Sequence, residues 1–482
     1  MIRTYLCIFF IFLTLISFSV TAEEPVRSIT DDWQETLQYG IDSEVIEVIK
    51  KIRSQKRQGF EEQLSEILNR TINTEIMEKI LGLFEETGST AGIERSENIL
   101  VNYRDWKESL VIGAMSYLSS LEEHETEVFR DTLYLIAREG NDRLAARAVK
   151  SIGSLTQQED ETVQADFLME LYDDSRTPAQ VKEQILLALG EIKAAEAAGM
   201  LADIVRDEYE DLIFRQYAVH SLGKLGDKEY LPVITEALAS SQALLRAYGA
   251  AALENIEGDE ATKLLVEALR DSFWRTRKSA LETLGKRKAE EAVPIIIYKA
   301  RKDPEKVIRM EALKALGNIG TPDSMEFLKE TFVNPRVPSD LRMEAFRYLI
   351  NTDFSRYAEE ITKIIAEEWE KEKPALLTEI GHILSTESVA SNDQGLLDIF
   401  QKFLTHPNIV IQIYGIRGIS INGYTQALDR IQELTDEKTP SAVRKQAISA
   451  FEELGGNPNT LTESESESES ESESESESES VE

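Results

Sequence analysis

The sequence predicts an all-α fold, an α-α superhelix built from stacked helix pairs, and three observations carry that expectation. An Ala-rich stretch ending in apolar-Gly-x-apolar returns at intervals of 31 to 39 residues, most plainly at 148–155, 185–192, 218–225, 280–285 and 312–319. A turn and a second apolar helical segment follow each copy, and two short helices cannot bury an apolar stripe without neighbours of the same kind. Proline and glycine fall at the joints: Pro232, Pro294 and Pro322 open second helices, while Gly258, Gly320, Gly455 and Gly456 follow helix ends.

Ahead of the repeats, residues 1–22 read as a secretory signal peptide, with Arg3 as the positive end, an apolar run over 5–18 and Val20-Thr21-Ala22 as the cleavage site. The competing reading is an uncleaved anchor, although the run falls short of the ~20 residues a span needs. Cleavage removes Cys7, the single cysteine, so the mature chain is expected to have neither a disulfide nor thiol chemistry. Residues 23–104 form an N-terminal helical capping region with three apolar stripes: Val45, Ile46, Val48, Ile49 and Ile52; Leu64, Ile67, Leu68 and Ile72; Ile76, Ile80, Leu81, Leu83 and Phe84.

The solenoid is assigned to 105–456. Its glycine position falls at Ser119, Gly153, Gly190, Gly223, Glu254, Gly285, Gly317, Ile350, Gly381, Ser420 and Glu452, and the residue just before it is apolar in every copy. Four residues before that apolar residue stand mostly small side chains, Ala148, Ala218, Gly249, Ala280, Ala312, Ala345, Gly415 and Ala447 among them. Residues spaced by four share a helical face, so small ones there allow a second helix to come close. Eight residues before the glycine position, a cation recurs at Lys182, Arg215, Arg246, Arg277, Arg309, Arg342, Lys373 and Arg444, with Asp211, Asp271, Asp303 and Asp340 shortly upstream.

These residues resemble the HEAT repeat, in the short subtype of phycobilisome-lyase-like proteins. Val181-Lys182…Ala188-Leu189-Gly190-Glu191-Ile192 and Ile308-Arg309…Ala315-Leu316-Gly317-Asn318-Ile319-Gly320 carry the likeness. The resemblance implies an armadillo-like helical solenoid, and it implies that the recurrent cation forms a ladder with acidic or carbonyl groups of adjacent turns. The copies at Ile350 and Ser420 depart most from the pattern.

The chain closes with a tail, 457–482, in which nine Glu-Ser pairs occupy 463–480. No apolar residue interrupts them, and repulsion between carboxylates favours an extended, solvated, disordered segment. A spacer, weak divalent-cation binding or docking onto a basic surface each fits that chemistry.

Formal net charge is −35, which opposes binding to nucleic acid or to an anionic membrane. One stretch, 270–309, reverses the sign with twelve basic against six acidic residues. Lys286, Arg287, Lys288, Tyr298, Lys299, Arg301 and Lys302 are the candidate partner-binding residues within it, suited to an acidic protein partner; the other reading is a solvated face. No metal site and no cofactor are expected. His124, His220, His382 and His406 lie in different repeats without zinc-type spacing, and no nucleophile elbow, phosphate loop or nucleotide fingerprint is present. The expectation is a non-enzymatic protein-binding scaffold of the bacterial cell envelope, exported to the periplasm or cell surface, with second helices lining the concave face. A cell-envelope structural or adhesion component with a cation-responsive tail, and a lyase-like enzyme, are the alternatives.

Overall fold

The computed structural model describes residues 29–121, 126–155, 161–387 and 393–457, and every regular element among them is helical. The signal peptide expected at 1–22, the Glu-Ser segment and His124 lie outside the described residues. The chain divides into two compact units, Met1–Gly199 and Met200–Glu482.

In the first unit the three apolar stripes become the helices Asp42–Ser54, Glu61–Arg70 and Thr74–Thr87, with Val48, Ile49, Ile52, Leu68, Ile80 and Phe84 buried. Ile72 is the exception. The helix stops at Arg70, Thr71 turns to extended backbone, and Ile72 is 84% exposed. Asn73 then caps the next helix by accepting hydrogen bonds from the Glu75 and Ile76 N–H groups, and Asn141 does the same for Asp142–Ile152. Regular repeats follow, and the glycine position shows its purpose there. A Cβ on Gly153 would lie 2.9 Å from Ala188 Cα, on the next first helix, Ala179–Glu191. Ser119, the same position one repeat earlier, instead hydrogen-bonds Ser151 at 3.0 Å.

The second unit repeats this contact. First helices Leu212–Leu225, Ala243–Ala252, Trp274–Lys286 and Lys306–Ile319 alternate with second helices Leu231–Leu238, Asp259–Ala268, Val293–Lys302 and Pro322–Val333. A Cβ on Gly223 would stand 2.4 Å from Ala252 Cα, one on Gly285 would stand 3.0 Å from Ala315 Cα, and Gly317 carries the Tyr348 ring directly on its backbone. In each pair the partner sits two residues before the next glycine position. The small residue five places before the glycine position has a different neighbour: Gly249 meets Leu238 and Gly415 meets Phe400, both on the preceding second helix. First helices therefore form the more closely spaced of two layers, and second helices pack mainly on first helices.

Six of the first helices end in turns built alike. Three residues past the glycine position the backbone is left-handed at Lys193, Gly226, Lys288, Gly320, Gly423 and Gly455, with φ between 51° and 89°. Glycine suits that conformation, whereas lysine is strained in it. At Ile350 the turn is replaced. One long helix, Ser339–Trp369, spans both members of the pair and kinks at Asp353, three residues past the glycine position, where the backbone is extended. The pattern's departure at this copy thus corresponds to a lost turn.

At Arg215, Arg246, Arg277 and Arg342 the recurrent cation forms the ladder that the family resemblance implies, in two variants. Arg246 and Arg277 each use Nη1 to donate to two carbonyls of the preceding turn, of Ser240 and Ser241 and of Asp271 and Ser272. Their Nε and Nη2 hold the carboxylates of Asp271 and Asp303 in the following turn, at 2.7–3.0 Å. Arg215 and Arg342 turn Nε to a carbonyl instead, of Val205 and Phe332. Burial raises the Asp303 pKa, but hydrogen bonds from Arg277 and the Glu305 N–H, with the charges of Arg277 and Lys299, outweigh it and hold the carboxyl below the usual range.

Three consequences are testable by thermal and chemical unfolding. Gly223→Ala drives a methyl into the next helix and is expected to cost about 2 kcal/mol net of the gain in helix propensity; Gly82→Ala, in open space, is the control that does not destabilise. Lys288→Gly relieves a left-handed lysine and is expected to add about 1 kcal/mol. Asp303→Asn strands Arg277, which is 7% exposed in its side chain, and is expected to cost about 3–5 kcal/mol near neutral pH. Because the native carboxyl has a depressed pKa, its contribution is present above the ordinary aspartate value of 3.8 and is lost as pH falls through the native one. The difference between Asp303→Asn and the parent should therefore shrink in acid.

Candidate protein-binding surface

The structure divides the basic stretch among several tasks. Arg287 is a clamp: Nη1 donates to the carbonyls of Leu253, at 2.8 Å, and Ile256, and Nη2 to that of Gly258, at 3.2 Å, tying one repeat to the turn of the one before. Lys299 lies inside the ladder, 3.4 Å from Asp303, with its side chain 13% exposed. Lys286 reaches back to Glu254 at 2.7 Å. Lys288 is the exposed residue of the left-handed turn. Tyr298, Arg301 and Lys302 are exposed on the second helix Val293–Lys302, where Arg301 lies 3.3 Å from Glu330 and over the Phe327 ring. Proximity in sequence thus does not gather the seven candidates into one surface. Arg301 and Lys302 alone among them share a cavity, of about 420 Å³, which Arg309 and Arg336 also line.

A different surface gathers side chains from successive repeats. On the layer of first helices, a groove of about 600 Å³ draws Gln216 and His220 from one helix, Tyr248 from the next, and Trp274, Lys278 and Glu282 from a third. A second groove, of about 380 Å³, runs from Met310 past Glu344 and Arg347 to His382 and Tyr414. Relative to the glycine position, most of these residues stand three, six, seven or ten places earlier. Such spacing marks one helical stripe, turned away from the face that carries the ladder and the apolar seam. Once the glycine position is fixed, that stripe can be read from sequence, whereas clustered charge points to other positions.

The stripe mixes aromatic edges with ion pairs. Tyr217 and Tyr248 meet edge to face at 6.4 Å, His382 and Tyr414 at 5.7 Å, and Arg275 covers Trp274 at 5.2 Å. Lys278 pairs with Glu282 and, at 3.8 Å, with Glu311. Partial burial lowers the Lys278 pKa, yet the bond and charge of Glu282 and the charge of Glu311 override it and leave it raised. Glu311 is raised by its own burial and by the neighbouring Glu282. Tyr348, covering Gly317, is pushed up to about 12 by burial and by the Glu344 and Glu311 carboxylates.

Among the described residues no three His, Cys, Asp or Glu side chains gather as a metal site would require. His406 is used in the core, where its Nδ1 accepts from the Asn408 N–H at 2.9 Å and its ring meets Trp369 edge-on. No helix among the described residues is long and apolar enough to cross a membrane.

Comparison with known proteins agrees on architecture. The chain is similar to deoxyhypusine hydroxylase of Candida albicans, with 26% identity over 227 residues that cover 45% of this chain and 69% of that protein. The Mus musculus enzyme is 24% identical over 255 residues, 40% of this chain and 83% of its own. Among solved structures, the CpcE–CpcF complex of phycocyanin lyase from Nostoc sp. PCC7120 matches at 16% identity over 62% of this chain and 96% of that one, with a TM-score of 0.30. The karyopherin Kap121p bound to the extreme C-terminus of the protein phosphatase Cdc14p matches at 11% identity over 87% of this chain and 60% of that one, with a TM-score of 0.41. A family model described as Spirochaete HEAT repeat protein matches residues 37–450. By that match, which runs through both units, the chain belongs to the spirochaete HEAT repeat family.

Proposed function

We propose that this chain is a non-enzymatic scaffold that binds a protein partner along the stripe of its first helices. One observation supports the reading above others: the two grooves draw on several consecutive repeats, and the helical frame leaves their lining residues free to vary. Half-exposed aromatic side chains beside paired charges, such as Trp274 near Lys278 and Glu282, are the kind of surface on which protein interfaces concentrate their binding energy. Nothing in this mode of binding requires a cofactor. Export of the mature chain to the cell envelope is part of the same proposal and rests on the leader-like residues 1–22.

Affinity capture from the envelope fraction of the native organism tests this reading. A Tyr248→Ala/Trp274→Ala variant, checked for parental helicity, is expected to retain a specific partner at least about tenfold less well than the parent, as truncating two aromatic anchors should. A variant reversing Lys286, Lys288 and Lys302, outside the stripe, should retain it undiminished. Equal retention by the aromatic variant and the parent would remove the first-helix stripe as the interface.

A further inference from the structure

The ladder lapses at one repeat, and the lapse coincides with the cationic cavity. Asp271 and Asp303 each accept a hydrogen bond from the backbone N–H two residues on, of Phe273 and Glu305, while presenting the carboxylate to the ladder arginine of the preceding first helix. Asn334 makes the same turn one repeat later, accepting from the Arg336 N–H at 3.0 Å. Its amide carries no charge. The arginine it would serve, Arg309, donates through Nη1 to the carbonyls of Asp303 and Pro304, as Arg277 does one turn earlier. Among the described residues its Nε and Nη2, the two nitrogens that hold the aspartate in Arg246 and Arg277, make no hydrogen bond.

Arg309 lines the cavity of about 420 Å³ together with Arg301, Lys302, Arg336, Asn334 and the single carboxylate Glu330. Four cations thus face one acid, in a chain whose formal net charge is −35. A neutral residue also follows Arg215, at Ser240, but Arg215 turns its Nε to the Val205 carbonyl, and the cavity nearest that turn contains Glu267 and Asp271 with Arg270 as its one cation. At Asn334 a missing carboxylate, an arginine with idle donors and an excess of cations meet.

We infer that this cavity binds a carboxylate side chain of an acidic peptide segment, which takes the place beside Arg309 that Asp271 and Asp303 hold beside Arg246 and Arg277. The chain's own Glu-Ser residues 463–480 have this chemistry, with a carboxylate at every second position, and they are the occupant to which we commit. An acidic segment of another protein is the competing source. This site lies on the side of the second helices, apart from the first-helix stripe, so the failure of either proposal leaves the other standing.

A fluorescent peptide copying residues 463–480 provides the probe, with binding followed by anisotropy at low salt. It is expected to bind a chain ending at Asn457, which keeps every described helix, more tightly than it binds the full chain, whose own segment competes. Asn334→Asp supplies the missing carboxylate in place and should weaken the peptide by about tenfold or more, the worth of a charged hydrogen-bond pair, while raising the melting temperature. That rise shows the variant to be folded. Lys288→Gln, which removes a cation outside the cavity, should leave affinity unchanged. Undiminished binding to the Asn334→Asp variant, or an equal loss in Lys288→Gln, would overturn the site. Equal affinity for the full and shortened chains would overturn the chain's own segment as the occupant.

Discussion

Close approach between adjacent first helices is the constraint on which the rest of the structure depends. Backbone meets backbone where Gly153 faces Ala188, Gly223 faces Ala252 and Gly285 faces Ala315, leaving no room for even one methyl group more. Packing at that distance needs a small residue on both sides of the seam, one at the glycine position and one two residues earlier in the following repeat. Where the first is not glycine, the contact changes its chemistry and persists: Ser119 bonds Ser151, and after Glu254 the facing Thr283 hydroxyl donates to the Ala250 carbonyl. A repeat leans only on its neighbours, so each seam is a stability term in its own right.

Charge is arranged around that seam in a second tier. The ladder arginines bind the turns that the seam brings together, Arg287 adds a clamp across one of them, and the carboxylates that answer are mostly supplied by the next turn along. Burial alone would raise the pKa of Asp271 and Asp303, yet both are lowered, because two or more donors converge on each. Such a pair holds a turn in register more than it adds net stability, since desolvating both ions offsets much of their attraction.

The architecture was legible in the sequence because its cause is periodic. Spacing of the glycine position, the apolar residue before it and the cation eight residues before it recur with the repeat, and each became a seam, a core side chain or a ladder rung. The partners across the seam were not legible, because the decisive small residues, Ala188, Ala252 and Ala315, look like ordinary helix formers until their neighbours are seen. Sequence does not separate occupied from free cations for a related reason. Arg287 and Lys299 are charged in sequence and mostly occupied in space, and nothing local distinguishes them from Lys302. Asn334 escaped notice because its meaning is an absence, visible only beside Asp271 and Asp303.

Division of labour within one helix follows from these placements. Positions that make the seam, the core and the ladder lie zero, one, two, five and eight residues before the glycine position, and they take up one side of the first helix. The complementary stripe keeps no fixed chemistry: the place three residues before the glycine position holds His220, Ala251, Glu282, Lys314 and Arg347 in turn, and the place six before it holds Tyr248, Ser279, Glu311 and Glu344. A substitution on the first side disturbs two neighbouring repeats at once, whereas one on the stripe changes only what the groove presents. A frame of this kind can alter its partner without altering its fold, and its specificity then resides in the order of side chains along the stripe more than in any single residue.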